Sequence, residues 1–305
     1  MKLPTKILVA LDSQGACESA LQAALWLARR AGTQADPARV EYIHAFPERP
    51  WIFGEAERLD EWSRGRDAAL AHLRGSVVQW AARVPASMQP ISSPEPELLA
   101  VETGSPARVI SERARSTGAE LLFLGPHRHR RGLSFENTLR SVLSHARIPV
   151  WVQPQPARAI RSVLAPIDFS ALSRASLAQA QSLARALDAK LTVAHVFEPP
   201  TLGATSTMPM PEPHLVIDEL RDRTREEFHA ELKRQGIADE ALFLEGDAAE
   251  AIEEAAPRFD LIVLGSHGRS ALGAAFLGSV TQALARHPAT ALLVIPPSSG
   301  NLSMP

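Results

Sequence analysis

Leu261-Ile262-Val263-Leu264 is an apolar strand that breaks at Gly265-Ser266-His267-Gly268, continues with Arg269, and reaches Gly278-Ser279-Val280-Thr281 ten residues past Gly268. Residues of these types at this spacing could wrap a main chain around a polyphosphate. Glycine lets backbone approach oxyanions closely and adopt a positive φ. The N–H groups and dipole of a helix start attract negative charge. Ser279 and Thr281 could add hydroxyl donors, and Arg269 could neutralise a phosphate by its charge and position. Bland alternatives stay open: a strand-to-helix turn that needs glycine for geometry alone, His267 as a backbone-satisfied turn residue, and Arg269 as a solvated surface charge.

The elements that must position this turn occur twice. Lys6 to Asp12 and Ser162 to Asp168 are apolar strands ending at an aspartate, each followed by a small-residue turn. Helices follow whose stripes match at an offset of 156 residues: Leu21, Ala24, Leu27, Ala28 and Arg29 against Leu177, Ala180, Leu183, Ala184 and Arg185. That spacing keeps each set on one helical face. Second strands follow at Val40 to Phe46 and Leu191 to Phe197, each with a histidine two residues before its phenylalanine. Long amphipathic helices are predicted over 56–83 and 215–235. Later come strands from Glu120 to Gly125 and Asp260 to Gly265, and closing strands at Pro149 to Val152 and Ala291 to Ile295. Short apolar strands alternating with helices predict parallel sheets covered on both faces. The prolines of Gln153 to Arg158 mark a linker.

The 305 residues allow two domains of about 150 residues each. Hydrophobic residues make up 45%, charged residues 22%, and the net charge is −2. Such a balance offers no basic field for nucleic acid or an anionic membrane. No apolar stretch approaches the roughly 18 residues a bilayer requires, so no membrane insertion is expected. The opening residues run straight into a strand-like segment, so no signal peptide is expected. A single cysteine, Cys17, rules out an internal disulfide framework and suits a reducing cytosol, so the expected location is cytoplasmic. Cys17 falls at a helix start and reads as packing.

The element order, the strand-ending aspartates and the spacing Gly-x2-Gly-x9-Gly-Ser together resemble the universal stress protein family, over about 4–153 and 160–296. The resemblance implies α/β architecture: two tandem doubly wound five-stranded parallel-sheet domains, similar to the adenine-nucleotide alpha hydrolase fold. The expected boundaries are 1–155, degenerate, and 156–305, with an intact nucleotide motif. Doubly wound folds bind ligands beyond the carboxyl ends of the strands, where Asp12 and Asp168 fall. Carried over residue by residue, the family pattern has Asp168, with Pro166 just before it, contact the adenosine portion of ATP. Val196 lines the adenine pocket, Gly265, His267 and Gly268 pass the ribose and phosphates, and Gly278, Ser279, Val280 and Thr281 hold the phosphates. ATP is the expected ligand, with Mg²⁺ as an optional companion. Domains of this family pair through their last strands, so Val150 to Val152 and Leu292 to Ile295 are expected to form an intramolecular pseudo-dimer. Further doubling to a homodimer is left open.

The first half departs from the pattern. Arg128 stands opposite Gly268, and Glu136-Asn137-Thr138 stand opposite Gly278-Ser279-Val280. A carboxylate there would repel phosphate. This half is therefore read as having kept the fold and lost the nucleotide, and Asp12 as either a site remnant or a turn residue. The run His127 to Arg131 lacks a third metal ligand or interleaved aromatics, and reads as a solvated loop. No Walker lysine, metal-binding acidic pair or Ser-Gly-Gly-x-Asp-Ser loop is present, so the expectation is a non-enzyme. Slow hydrolysis or autophosphorylation stays open without an identified base. The expected function is stress response or signalling through nucleotide-dependent interaction with an unknown protein partner. The alternative is a scaffold or apolar-ligand binder with a structural or vacant nucleotide site, using the loop from Thr201 to Pro213.

Overall fold

The computed structural model describes residues 3–13, 15–33, 35–46, 48, 56–85, 94–125, 135–200, 213–237, 240–268 and 277–297. The first half runs β1 (Lys6–Ala10), α1 (Glu18–Ala31), β2 (Arg39–Phe46), α2 (Ala56–Ala82), β3 (Leu99–Thr103), α3 (Pro106–Thr117), β4 (Leu121–Leu124), α4 (Phe135–His145) and β5 (Val150–Val152). The second repeats it with β6 (Ser162–Pro166), α5 (Ala171–Leu187), β7 (Lys190–Phe197), α6 (Pro213–Arg234), β8 (Glu240–Glu245), α7 (Ala248–Ala255), β9 (Leu261–Gly265), α8 (Ser279–Arg286) and β10 (Ala291–Ile295).

All pairings within a half are parallel, as their crossover helices require. The halves then join. β5 and β10 pair antiparallel, with Val152 opposite Leu292, Trp151 opposite Leu293 and Val150 opposite Val294. One ten-stranded sheet results, in the order β3-β2-β1-β4-β5-β10-β9-β6-β7-β8. Each closing strand would otherwise present a bare apolar edge, and mutual pairing covers both.

Period-2 alternation sends neighbouring residues to opposite faces of this sheet. Ile7, Val9, Trp151 and Val163 join the core under α1, α2, α5 and α6. Leu8, Val150, Val152 and Leu164 join the core under α3, α4, α7 and α8. Trp26, Trp80 and Trp151 are buried core residues, and Trp62 packs edge-on against Phe46 at 5.7 Å. α6 is amphipathic mainly in its C-terminal half, where Phe228 and Leu232 are buried; Leu215 is 57% exposed and Leu220 38%. Among the described residues, no helix is long and apolar enough to cross a membrane.

Cys17 is buried, and its Sγ contacts Oδ1 of Asp12 at 3.4 Å. Burial, followed by the Asp12 charge, pushes the thiol far above its ordinary range. We expect Ellman's reagent to modify Cys17 orders of magnitude faster in unfolded than in native protein. Equal rates would show that the site opens freely.

Candidate nucleotide-binding site

The carboxyl ends of β6, β7 and β9 open onto a cavity of about 490 Å³. Ten of the eleven candidate residues border it: Pro166, Asp168, Val196, Gly265, His267, Gly268, Gly278, Ser279, Val280 and Thr281. Arg269 lies outside the described residues, as do the loop following Thr201 and the first half's run from Pro126 to Ser134.

The signature glycines serve close approach. None is among the glycines at positive φ, which corrects one of the two reasons expected for them. A Cβ on Gly268 would collide with Oδ2 of Asp168. On Gly265 it would stand 2.8 Å from Cγ of Leu172, and on Gly278 3.0 Å from Cα of His267. Gly278 also donates its N–H to the Ser266 carbonyl at 2.8 Å, binding the start of α8 to the loop after β9. The first intrahelical bond runs from Gln282 N–H to Gly278 O. The N–H groups of Ser279, Val280 and Thr281 precede it and have no partner within the helix. They form the backbone cradle.

The side chains divide differently from expectation. Ser279 is exposed at the cavity wall. Thr281 Oγ1 instead donates to the Gly265 carbonyl at 2.8 Å and is buried, so its proton secures α8 to β9 rather than a ligand. His267 is half-buried, with Nδ1 3.2 Å from Ser266 Oγ. Asp168 Oδ1 accepts the N–H of Ser170 at 3.0 Å. Between them Phe169 takes φ +62°, a left-handed conformation that costs a non-glycine residue roughly 1–2 kcal/mol. Ser170 then caps α5, its Oγ accepting the Ser173 N–H at 3.1 Å.

Several cavity residues went unassigned from sequence. His195 is the repeated second-strand histidine, and its Nδ1 donates to the Ile167 carbonyl at 2.8 Å. A carbonyl only accepts, so Nδ1 carries the proton. Glu198 follows β7, and its Oε1 accepts the Ala248 N–H at 3.0 Å. Thr224 and Glu227 reach the cavity from α6. Among the described lining residues, Asp168, Glu198 and Glu227 are the carboxylates, with no lysine or arginine. Among the described residues, no group of three or more histidines, cysteines, aspartates or glutamates could hold a metal ion.

α6 is fixed over the site by Glu231, buried against Arg174 Nε of α5 at 3.0 Å and Arg234 at 2.6 Å. Burial raises this carboxyl, but hydrogen bonds from Gln235 and Arg174 and the two arginine charges outweigh it, holding it below the ordinary range. A carboxyl depressed in the folded state stabilises above its unfolded value and loses that contribution as pH falls. Glu231→Gln is expected to cost about 1–3 kcal/mol at neutral pH, with the deficit against wild type narrowing in acid. Urea unfolding across pH checks this; a deficit that grows on acidification contradicts it.

The first half builds its equivalent turn differently. By the offset of 156, Gln14 replaces the capping Ser170 and Cys17 replaces Ser173. α1 therefore starts three residues later than α5, with no side-chain cap. Gly15 takes φ +79°, and a Cβ on Gly125 would stand 2.5 Å from the Ala16 carbonyl. His44 keeps its bond to the Leu11 carbonyl at 2.8 Å.

Fold and site define a tandem, doubly wound α/β protein with a ligand cavity at a strand switch point. The sequence profile of the universal stress protein family matches residues 4–154 and again 159–296, and the chain belongs to that family. A universal stress protein of Thermus aquaticus is 36% identical over 138 residues, 44% of this chain and 98% of the relative. A universal stress protein structure from Archaeoglobus fulgidus superposes with TM-score 0.62 at 14% identity, over 96% of this chain and 98% of the other. A Pseudomonas aeruginosa structure does so with TM-score 0.60 at 16% identity, over 97% and 94%. These likenesses speak to fold, and family membership supports a role in stress response.

Proposed function

We propose that this protein binds ATP in the half from 156 to 305 and acts in stress signalling through nucleotide-dependent interaction, without catalysing a reaction of its own. The half from 1 to 155 keeps the fold as a degenerate partner. The observation that carries this reading is the convergence of ten signature residues on one cavity, with a backbone cradle at one side. The cradle of α8 receives the phosphates, and β7, two strands away, receives the base. At roughly 4.8 Å per strand that separation suits a nucleoside. The carboxylates around the cavity argue that ATP enters as its Mg²⁺ complex, which removes two negative charges; the ion would ride on the phosphates.

Calorimetric titration of purified protein with MgATP tests the reading. One site per chain is expected, and no heat or displacement at millimolar ATP would refute it. Multiple rapid turnovers in the same solution would overturn the non-enzyme assignment. The scaffold reading retains one supporting observation, the exposure of Leu215 and Leu220 on α6. It gains ground if ATP fails to bind.

A further inference from the structure

The turn after β6 is strained, and the strain has a local cause. Phe169 lines the cavity, is 9% exposed and holds φ +62°. Its ring packs on His195 with centroids 4.4 Å apart. His195 is in turn clamped by its Nδ1 bond to the Ile167 carbonyl and by Phe228 and Phe243, at 5.8 and 6.0 Å. Backbone strain persists only where surrounding contacts over-determine it. The left-handed Phe169 folds the chain back so that the Ser170 N–H reaches Asp168 Oδ1, leaving Oδ2 against Gly268.

The first half has another residue at the strained position. It has the same histidine bond, but Ser13 stands where Phe169 does and is not among the residues at positive φ. There Asp12 Oδ1 meets the Cys17 thiol at 3.4 Å.

We infer that Phe169, seated on His195, is a positioning residue that orients Asp168 toward the nucleoside end of the ligand. The inference rests on the ATP reading above and assigns Phe169 and His195 a share in recognising nucleoside rather than phosphate. Loss of the ring frees the turn and releases Asp168 from its set geometry, while the α8 cradle stays intact.

The test compares MgATP with inorganic tripolyphosphate on wild type and Phe169→Gly, the glycine permitting the left-handed turn without the ring. The expected result is an ATP affinity lowered about tenfold or more, with tripolyphosphate within about twofold. Parallel losses for both ligands, or no loss for either, would overturn the inference. Should Phe169→Gly not fold, His195→Asn keeps an N–H for the Ile167 carbonyl while removing the ring beneath Phe169. It is expected to show the same selective loss. Wild type that binds no ATP defeats the nucleotide reading and takes this inference with it. Wild type that binds ATP while the variants lose no selectivity defeats the inference alone.

Discussion

Gly278→Glu is expected to lower ATP affinity about a thousandfold while the protein stays folded. Two effects combine. A Cβ at this position meets Cα of His267 at 3.0 Å, so the helix start must shift by a few tenths of an ångström from the loop it is bonded to. The larger effect is charge. A carboxylate about 4 Å from a phosphate, at the effective dielectric of a partly buried site, costs about 4 kcal/mol, close to three decades of affinity. Gly278→Ala carries the steric part alone and should lose about tenfold or less. The first half holds Glu136 at the matching place in sequence, so the substitution copies a change this chain already carries. Titration calorimetry reads the outcome, with circular dichroism to confirm folding. A loss below tenfold for folded Gly278→Glu means the phosphates do not lie at α8, and the site assignment fails.

Most of the architecture was legible because it rests on period and repetition. Strands such as Leu261 to Gly265 are continuous apolar runs buried on both faces, and the matched stripes of α1 and α5 show up as an offset in the chain. The pairing of β5 with β10 was expected from the family resemblance, in which last strands pair, and from the apolar character of both edges. The site was half legible. Aspartates at strand ends and glycines at turns announce themselves by residue type, yet the reason for the glycines did not. Their φ angles are ordinary, and the need for glycine comes from Asp168, Leu172 and His267, which tertiary packing brings against them. Thr281 looked like a ligand donor until its hydroxyl was found on the Gly265 carbonyl. Phe169 carries no turn signature, and its ring packing on His195 is visible only in the tertiary structure. Thr224 and Glu227 come from a helix that begins sixteen residues beyond β7 (213 − 197), and local sequence says nothing about where its face will settle.

The two halves are expected to unfold as one unit, and the junction at Trp151 sets how strongly they are joined. Trp151 is 1% exposed on β5, opposite Leu293 of β10, and stacks on Phe123 with centroids 5.2 Å apart. Its indole N–H donates to Gln153 Oε1 at 2.8 Å, Gln153 donates to the Gln155 carbonyl, and Gln155 donates to the Ala289 carbonyl just before β10. Trp151→Ala removes a large buried side chain and the first link of this chain, and should cost about 3–5 kcal/mol in urea unfolding. All five tryptophans lie in the first half, so their fluorescence reports that half, while far-ultraviolet circular dichroism reports both. In wild type the two signals should coincide, and MgATP, if bound by the second half as proposed, should raise the fluorescence midpoint by mass action. In Trp151→Ala the fluorescence transition should run ahead of the dichroism, and the nucleotide should protect it less. If ATP binds yet leaves the wild-type fluorescence transition unmoved, the continuous sheet does not couple the halves, and the pseudo-dimer is two neighbours sharing an edge.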